Sequence, residues 1–231
     1  IYQCDWSSDV CSSDLDTLLA DVAVDAIKIG MTGDAQVVRA IAAALRRLRA
    51  DATESGVAAP VVVLDPVMVA TSGDRLIEHD TVRLLVDRLF PLASVITPNL
   101  DEASLLLERE IKSVEGLPQA AHALLEQGAQ AVLLKGGHLS GDDVVDVLAR
   151  HGHADVMLAS RRIASRNTHG TGCTLSSAVA AHLALGQPLE QAVRSARAYI
   201  LSAIAAGAGV QVGQGHGPLN HGHAPMATRL F

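Results

Sequence analysis

The chain has 231 residues, 49% hydrophobic and 19% charged, so it is long enough to bury the core of one domain. A net charge of −7 without a basic run argues against nucleic acid as a partner, because phosphate binding requires clustered Lys and Arg. No apolar run approaches the roughly 18 residues that span a bilayer, so we expect a cytoplasmic protein that does not enter a membrane.

The first 15 residues differ in composition from those that follow. They contain the single Trp and two of the three Cys, in a mixture of Ser and Asp without a hydrophobic period. We therefore expect residues 1–15 to be a foreign or disordered leader. Residues 16–231 show no linker and no internal repeat, and we expect them to form one domain.

From residue 16 onward, short buried runs alternate with stretches of helical period. The predicted strands are 25–30, 61–64, 95–96 and 131–134, followed by a hairpin at 144–148 and 155–158. The predicted helices are 37–48, 82–89, 101–107, 118–127, 171–183 and 189–206. Strands that alternate with helices predict a three-layer α/β fold, with a mostly parallel central sheet and helices on both faces.

Polar residues follow three of the predicted strands. Asp65 follows the second strand, Thr97 and Asn99 follow the third, and Lys135 follows the fourth. In an open parallel sheet, ligands bind beyond the carboxyl ends of the strands, so these side chains are expected at one rim. An acid, an amide and a cation at one rim indicate a phosphoryl-transfer site, where catalysis consists mainly of positioning and charge compensation.

A glycine-rich loop leads directly into the predicted helix at 171. Gly170 and Gly172 allow close approach of a ligand, and Thr171 and Cys173 lie in the first turn, where unpaired N–H groups attract anions. The alternative interpretation is a tight loop in which Cys173 is a small buried apolar residue.

Asn99 and Glu102 lie three residues apart at the start of a predicted helix. Oxygen ligands at this spacing could hold Mg²⁺ through water. The same spacing is also typical of an N-cap with its capping-box partner, and the sequence leaves both interpretations open.

Five segments carry a resemblance to a known family. They are DPVMV at 65–69 with SGD at 72–74, TPNLDE at 97–102, LLKGGH at 133–138, THGTGCT at 168–174 and GHGPLNH at 215–221. In this order they closely resemble the hydroxymethylpyrimidine/phosphomethylpyrimidine kinases of thiamine biosynthesis, in the ribokinase-like superfamily. The resemblance runs from about residue 16 to the end. It implies ATP- and Mg²⁺-dependent phosphorylation of 4-amino-5-hydroxymethyl-2-methylpyrimidine and then of its monophosphate, by a homodimer.

The resemblance also implies roles for individual residues. The loop from Gly170 to Cys173 is expected to receive the transferring phosphoryl group, with Cys173 as the base where many superfamily members have an aspartate. Lys135, Thr97 and Asn99 are expected to bind ATP. Asp65 and Glu102 are expected to lie near the metal. Met31, Val67 and Cys173 are expected to line the pyrimidine pocket.

One part of the family pattern has no counterpart in this sequence. Family members begin with a strand, a glycine-rich segment, a flap and a glutamine that contacts the pyrimidine, and residues 1–15 do not match them. We therefore expect an N-terminally incomplete kinase domain whose activity is weak or absent.

Two other functions are compatible with the same residues. A pyridoxal or pyridoxine kinase of the superfamily can carry the same Gly-Thr-Gly-Cys loop. A non-catalytic module on the same fold could sense a pyrimidine without transferring phosphate.

Overall fold

Six strands form one sheet in chain order in the computed structural model, which describes residues 8–69, 76–211 and 213–225. The strands are β1 (Ala26–Ile29), β2 (Val61–Leu64), β3 (Val95–Ile96), β4 (Ala131–Leu134), β5 (Asp143–Arg150) and β6 (Val156–Arg161). Strands β1 to β4 are parallel, and β5 and β6 complete the sheet as an antiparallel hairpin. The carboxyl ends of β1 to β4 therefore lie at one rim, which we call the strand-end rim.

Seven α-helices lie within the described residues. They are α1 (Ser8–Asp21), α2 (Ala35–Ser55), α3 (His79–Leu89), α4 (Leu100–Leu107), α5 (Leu117–Glu126), α6 (Thr171–Ala184) and α7 (Leu189–Gly207). None of the helices in these ranges is long and apolar enough to cross a membrane.

The sheet separates two hydrophobic cores. On one face, Leu64, Ile96 and Leu134 pack with residues of α2 to α5. On the other face, the neighbouring strand residues Val63 and Leu133 pack with residues of α6 and α7. Because successive side chains of a strand point to opposite faces, short apolar strands supply both cores at once. The predicted three-layer α/β fold is confirmed.

Capping residues set the ends of α2. Asp34 accepts hydrogen bonds from the backbone N–H groups of Gln36 and Val37 at 2.7 and 3.0 Å. Gly56 ends the helix with φ of 68°, in the left-handed region that glycine adopts without strain. This helix follows β1 and returns the chain to β2, which keeps the two strands parallel.

Helix α1 was not predicted. It crosses the expected boundary between residues 15 and 16, so residues 8–15 are helical and not irregular. Arg47 of α2 donates to Asp16 Oδ1 at 2.5 Å, between two exposed side chains. That residues 1–15 are foreign to residues 16–231 stays a prediction, and the SGD segment at 72–74 lies outside the described residues.

Candidate active site

Three strand ends meet at the carboxylate of Asp65, directly after β2. Its Oδ1 accepts hydrogen bonds from Thr97 Oγ1 at 3.0 Å and from Lys135 Nζ at 2.9 Å. Its Oδ2 accepts from Ser176 Oγ of α6 at 3.1 Å. The predicted gathering of Asp65, Thr97 and Lys135 at one rim is therefore what the structure shows.

Asp65 and Lys135 form a buried ion pair. Their side chains are 1% and 13% exposed. A charge that is removed from water requires both a counter-ion and hydrogen bonds, and Asp65 has both. Because its two oxygens already accept three hydrogen bonds, Asp65 is a fixed counter-ion that holds the Lys135 ammonium at the rim.

The first turn of α6 lies against this ammonium. A Cβ added at Gly172 would lie 3.2 Å from Lys135 Nζ, so the ammonium is close to the helix start. Gly170 precedes the helix with φ of 83°. Among the described residues, the N–H groups of Gly172 and Cys173 have no backbone acceptor. An ammonium and two free N–H groups at a helix start form a local site for an anion.

Cys173 is a free, exposed thiol in this turn. The alternative interpretation, in which it is a small buried apolar residue, is therefore wrong. Thr171, which precedes it by two residues, donates from Oγ1 to the carbonyl oxygen of Thr168 at 2.7 Å and fixes the loop. The thiol faces solvent beside the predicted anion site and is accessible to a substrate.

Asn99 and Glu102 form a complete capping box at the start of α4. Glu102 N–H donates to Asn99 Oδ1 at 2.9 Å, and Asn99 N–H donates to Glu102 Oε2 at 2.8 Å. The structural interpretation of this spacing is thus confirmed. Asn99 also pairs with Lys135 through an isolated parallel bridge, which brings the capping box to the strand-end rim.

The electrostatics of Glu102 connect it to the same site. Burial raises the pKa of Glu102 to about 7 against the opposing effects of the Lys135 charge and the Asn99 N–H, and the nearby Asp65 and Asp101 charges raise it further. Its carboxyl group is therefore partly protonated at neutral pH, and an additional cation would favour the charged form.

Met31 and Val67 follow the ends of β1 and β2. Asp65 N–H donates to the carbonyl oxygen of Ile29 at 2.8 Å, which joins the ends of β1 and β2. Met31 follows β1 and is 63% exposed, and Val67 is half-buried. Met31 is two residues after Ile29 and Val67 is two residues after Asp65, so both predicted pyrimidine contacts closely follow the two residues that this bond joins.

Two contributors were not found from the sequence. Ser176 is fully buried and bonds an acid 111 residues away, which no local pattern indicates. Asn167 donates from Nδ2 to the carbonyl oxygens of Gly207 and Val210 at 2.6 and 2.5 Å. These two bonds tie the residues before the glycine-rich loop to the end of α7, and the His169 N–H, which donates to Gly217 O at 3.2 Å, ties the loop to the 215–221 segment.

No group of three or more His, Cys, Asp or Glu suited to a metal ion occurs within the described ranges. Asp65 and Glu102, the residues predicted near a metal, are two carboxylates that are 1% and 2% exposed. Any metal at this rim would therefore need ligands from a bound substrate or water.

The sequence matches known proteins over most of its length. A family model for phosphomethylpyrimidine kinase matches residues 4–220. A hydroxymethylpyrimidine/phosphomethylpyrimidine kinase of Rhizobium meliloti is 46% identical over 95% of this chain and 79% of its own length. The enzyme of the same name from Escherichia coli is 38% identical over 94% of this chain and 78% of its own length.

Solved structures show the same fold. The ADP complex of Bacillus subtilis pyridoxal kinase matches 94% of this chain and 77% of its own, with a TM-score of 0.79 and 34% identity. Phosphomethylpyrimidine kinase of Clostridium difficile matches 87% of this chain and 78% of its own, with a TM-score of 0.71 and 30% identity. The ribokinase-like fold is thereby confirmed, and the chain belongs to the phosphomethylpyrimidine kinase family.

Proposed function

We propose that this chain transfers the γ-phosphoryl group of ATP to the hydroxymethyl group of 4-amino-5-hydroxymethyl-2-methylpyrimidine, and then phosphorylates the monophosphate. The observation that carries this proposal is the position of the Lys135 ammonium, which is held by Asp65 close to the first turn of α6. Relatives named for both phosphorylations, at 38–46% identity, support the choice of substrate.

In the proposed reaction, the substrate hydroxyl oxygen attacks the γ-phosphorus of ATP. The bond between the γ-phosphorus and the β,γ-bridging oxygen breaks, which releases ADP. The Cys173 thiolate accepts the hydroxyl proton at Sγ, since the thiol is exposed at the anion site. The amides of Gly172 and Cys173 donate to the transferring phosphoryl oxygens, with Gly170 and Thr171 shaping the loop. Lys135 compensates the charge of the ATP phosphates.

Thr97 and Asn99 position this cation. Thr97 shares Asp65 Oδ1 with Lys135, and Asn99 bridges to the Lys135 backbone. We assign both to the ATP side of the site, where they keep the ammonium at the rim while phosphates enter and leave.

Asp65 and Glu102 are the residues that would hold Mg²⁺. Carboxylate oxygens suit this cation, and burial raises the pKa of Glu102, so an additional cation would favour its charged form. Because Asp65 is already hydrogen-bonded three times, contact through water is expected there. The chemistry that Mg²⁺ would supply is neutralisation of the phosphate charge.

Met31 and Val67 provide apolar surface for the pyrimidine ring after the ends of β1 and β2. We assign the ring and its hydroxymethyl group to the same rim as Cys173. The proposed homodimer and the cytoplasmic location rest on the resemblance and on composition. Sedimentation of the purified chain would test the dimer, and a monomer at micromolar concentration would contradict it.

Pyridoxal kinase is the second candidate, because a pyridoxal kinase structure has the TM-score of 0.79. The test incubates the purified chain with MgATP and either hydroxymethylpyrimidine or pyridoxal, and follows products by mass spectrometry so that slow turnover remains measurable. We expect the mono- and diphosphate of the pyrimidine, formed with a higher kcat/KM than pyridoxal phosphate. ATP binding without either product would favour the non-catalytic sensing module and contradict the proposal.

A further inference from the structure

A buried ion pair lies beside the active site, outside the contacts described so far. Arg197 of α7 donates from Nε to Asp146 Oδ2 of β5 at 2.8 Å, and the two residues are 8% and 6% exposed. Arg197 also donates from Nη2 to Ser160 Oγ of β6 at 3.4 Å. Buried pairs are often replaceable by apolar residues without loss of stability, so the burial of this pair is weak evidence for a role in stability.

The other oxygen of Asp146 reaches the turn that follows β4. Asp146 Oδ1 accepts the Gly136 N–H at 2.9 Å. A Cβ at Gly136 would lie 2.0 Å from the carbonyl oxygen of Val145, so the backbone runs too close to β5 for any side chain. The ladder between β4 and β5 ends at the pair Leu134 and Val147, so this amide lies beyond it and the Asp146 side chain supplies its acceptor.

Gly136 directly follows Lys135, whose position therefore depends on three contacts. The Lys135 N–H donates to the carbonyl oxygen of Pro98 at 2.9 Å, and Nζ donates to Asp65 at 2.9 Å. The third contact is the bond from the Gly136 N–H to Asp146. These contacts fix the peptides on both sides of Lys135 as well as the end of its side chain.

We propose that Asp146 and Arg197 are positioning residues for Lys135. Asp146 holds the peptide after Lys135, so that the ammonium stays against the first turn of α6. Arg197 neutralises the buried carboxylate, which lets Asp146 remain in the core as an acceptor. The inference rests on the proposed function, because it takes Lys135 as the cation that binds the ATP phosphates.

The test compares two double variants that differ in one acceptor. D146N/R197M removes both charges but keeps a side-chain oxygen for the Gly136 N–H, whereas D146L/R197M removes the charges and the acceptor. The Kd for ATP is measured by calorimetry, the KM for ATP and for the pyrimidine by kinetics, and Tm by scanning. The exposed residue Arg194 of α7 provides the control variant R194M.

Loss of the single acceptor in D146L/R197M is expected to raise the Kd and KM for ATP roughly five- to tenfold over D146N/R197M. The KM for the pyrimidine should stay within about twofold in both, since neither change alters the ring contacts. A purely structural role would lower Tm without this selective loss of ATP affinity. Equal ATP affinity in the two double variants would overturn the inference and leave the proposed function intact.

A measurement on the unmodified chain keeps the inference testable if D146L/R197M does not fold. The Gly136 amide should exchange slowly with solvent deuterium in nuclear magnetic resonance spectra, because Asp146 accepts its hydrogen. Fast exchange of this amide would overturn the inference. Failure of the unmodified chain to bind ATP would instead overturn the proposed function, and the inference with it.

Discussion

The predicted site contains two groups of residues, and they differ in how far the folded chain already buries and hydrogen-bonds their side chains. The buried end consists of Asp65, Thr97, Lys135 and Ser176, and Asp65 is 1% exposed with both oxygens hydrogen-bonded. The predicted substrate-binding residues Met31, Val67 and Cys173 are more accessible, and we call them the open end; Met31 is 63% exposed, Cys173 is also exposed and Val67 is half-buried.

Physical chemistry accounts for this difference. A buried charge is costly unless it is paired, so the charged groups must be arranged before any nucleotide arrives. Apolar side chains and a thiol can face solvent until a substrate covers them. Changes at the buried end should therefore alter both stability and activity, whereas changes at the open end should alter activity alone.

Replacement of Cys173 by alanine gives the largest expected effect and tests the open end. Loss of the proposed base should lower kcat about 10²- to 10⁴-fold. Tm should stay within about 2 °C of the unmodified chain, because an exposed side chain contributes little to packing. Steady-state kinetics and calorimetry measure the two quantities. A lowered Tm with unchanged kcat would make Cys173 a packing residue and remove it from the mechanism.

Replacement of Lys135 by methionine tests the buried end. Loss of the ammonium should lower kcat/KM for ATP about 10²- to 10³-fold, as for other preorganised charge-stabilising groups. The unfolding free energy should also fall by about 3 kcal/mol, because the buried Asp65 carboxylate loses its counter-ion. Urea titration with coupled ADP detection measures both losses.

The double variant D65N/K135M separates the two effects of Lys135. A neutral amide at position 65 needs no counter-ion, so most of the lost stability should return while activity stays low. The exposed residue Lys112 provides the control K112M, which should change neither quantity. Recovery of activity in D65N/K135M would contradict the role of Lys135 on the ATP phosphates.

Glu102 gives a pH-dependent test of the buried end. Its folded pKa of about 7 exceeds the ordinary value of 4.5, so the folded chain holds more protons between these pH values. The contribution of Glu102 to stability is thus fully present below pH 4.5, falls as pH rises to about 7, and is flat above. The total change is at most about 3 kcal/mol.

The variant E102Q removes the pH-dependent contribution of Glu102 to the unfolding free energy. It keeps a capping-box acceptor, since Gln also serves at this position. The difference in unfolding free energy between E102Q and the unmodified chain should therefore grow in favour of E102Q from pH 4.5 to 7. Urea titrations in EDTA across this range measure it. If the difference in unfolding free energy does not change with pH, burial does not raise the pKa of Glu102 in the folded chain.

Much of the fold follows from sequence periodicity, and the errors have physical causes. The strands at 61–64 and 131–134 are apolar runs closed by Asp65 and Lys135, and their observed limits match the prediction. Helix α1 was missed because the Ser- and Asp-rich sequence from Ser8 to Asp21 has no continuous apolar stripe to indicate it.

The site was predicted as a set of strand ends but not as a set of contacts. Chain topology places the ends of parallel strands at one rim, so Asp65, Thr97 and Lys135 could be grouped from sequence. The exposure of Cys173 and the raised pKa of Glu102 depend on what packs around them, which local spacing does not encode. The contact between Ser176 and Asp65 is of the same kind.

Ser176 therefore provides the smallest and most selective test of the comparison between the two ends. S176A removes one neutral donor from Asp65 Oδ2 and leaves the bonds from Thr97 and Lys135 in place. The unfolding free energy should fall by about 1 kcal/mol, and kcat/KM for ATP by about two- to fivefold. Ser177, the next residue of α6, is exposed and provides the matched control S177A. If S177A has effects as large as S176A, helix propensity explains both, and Asp65 needs no donor from α6.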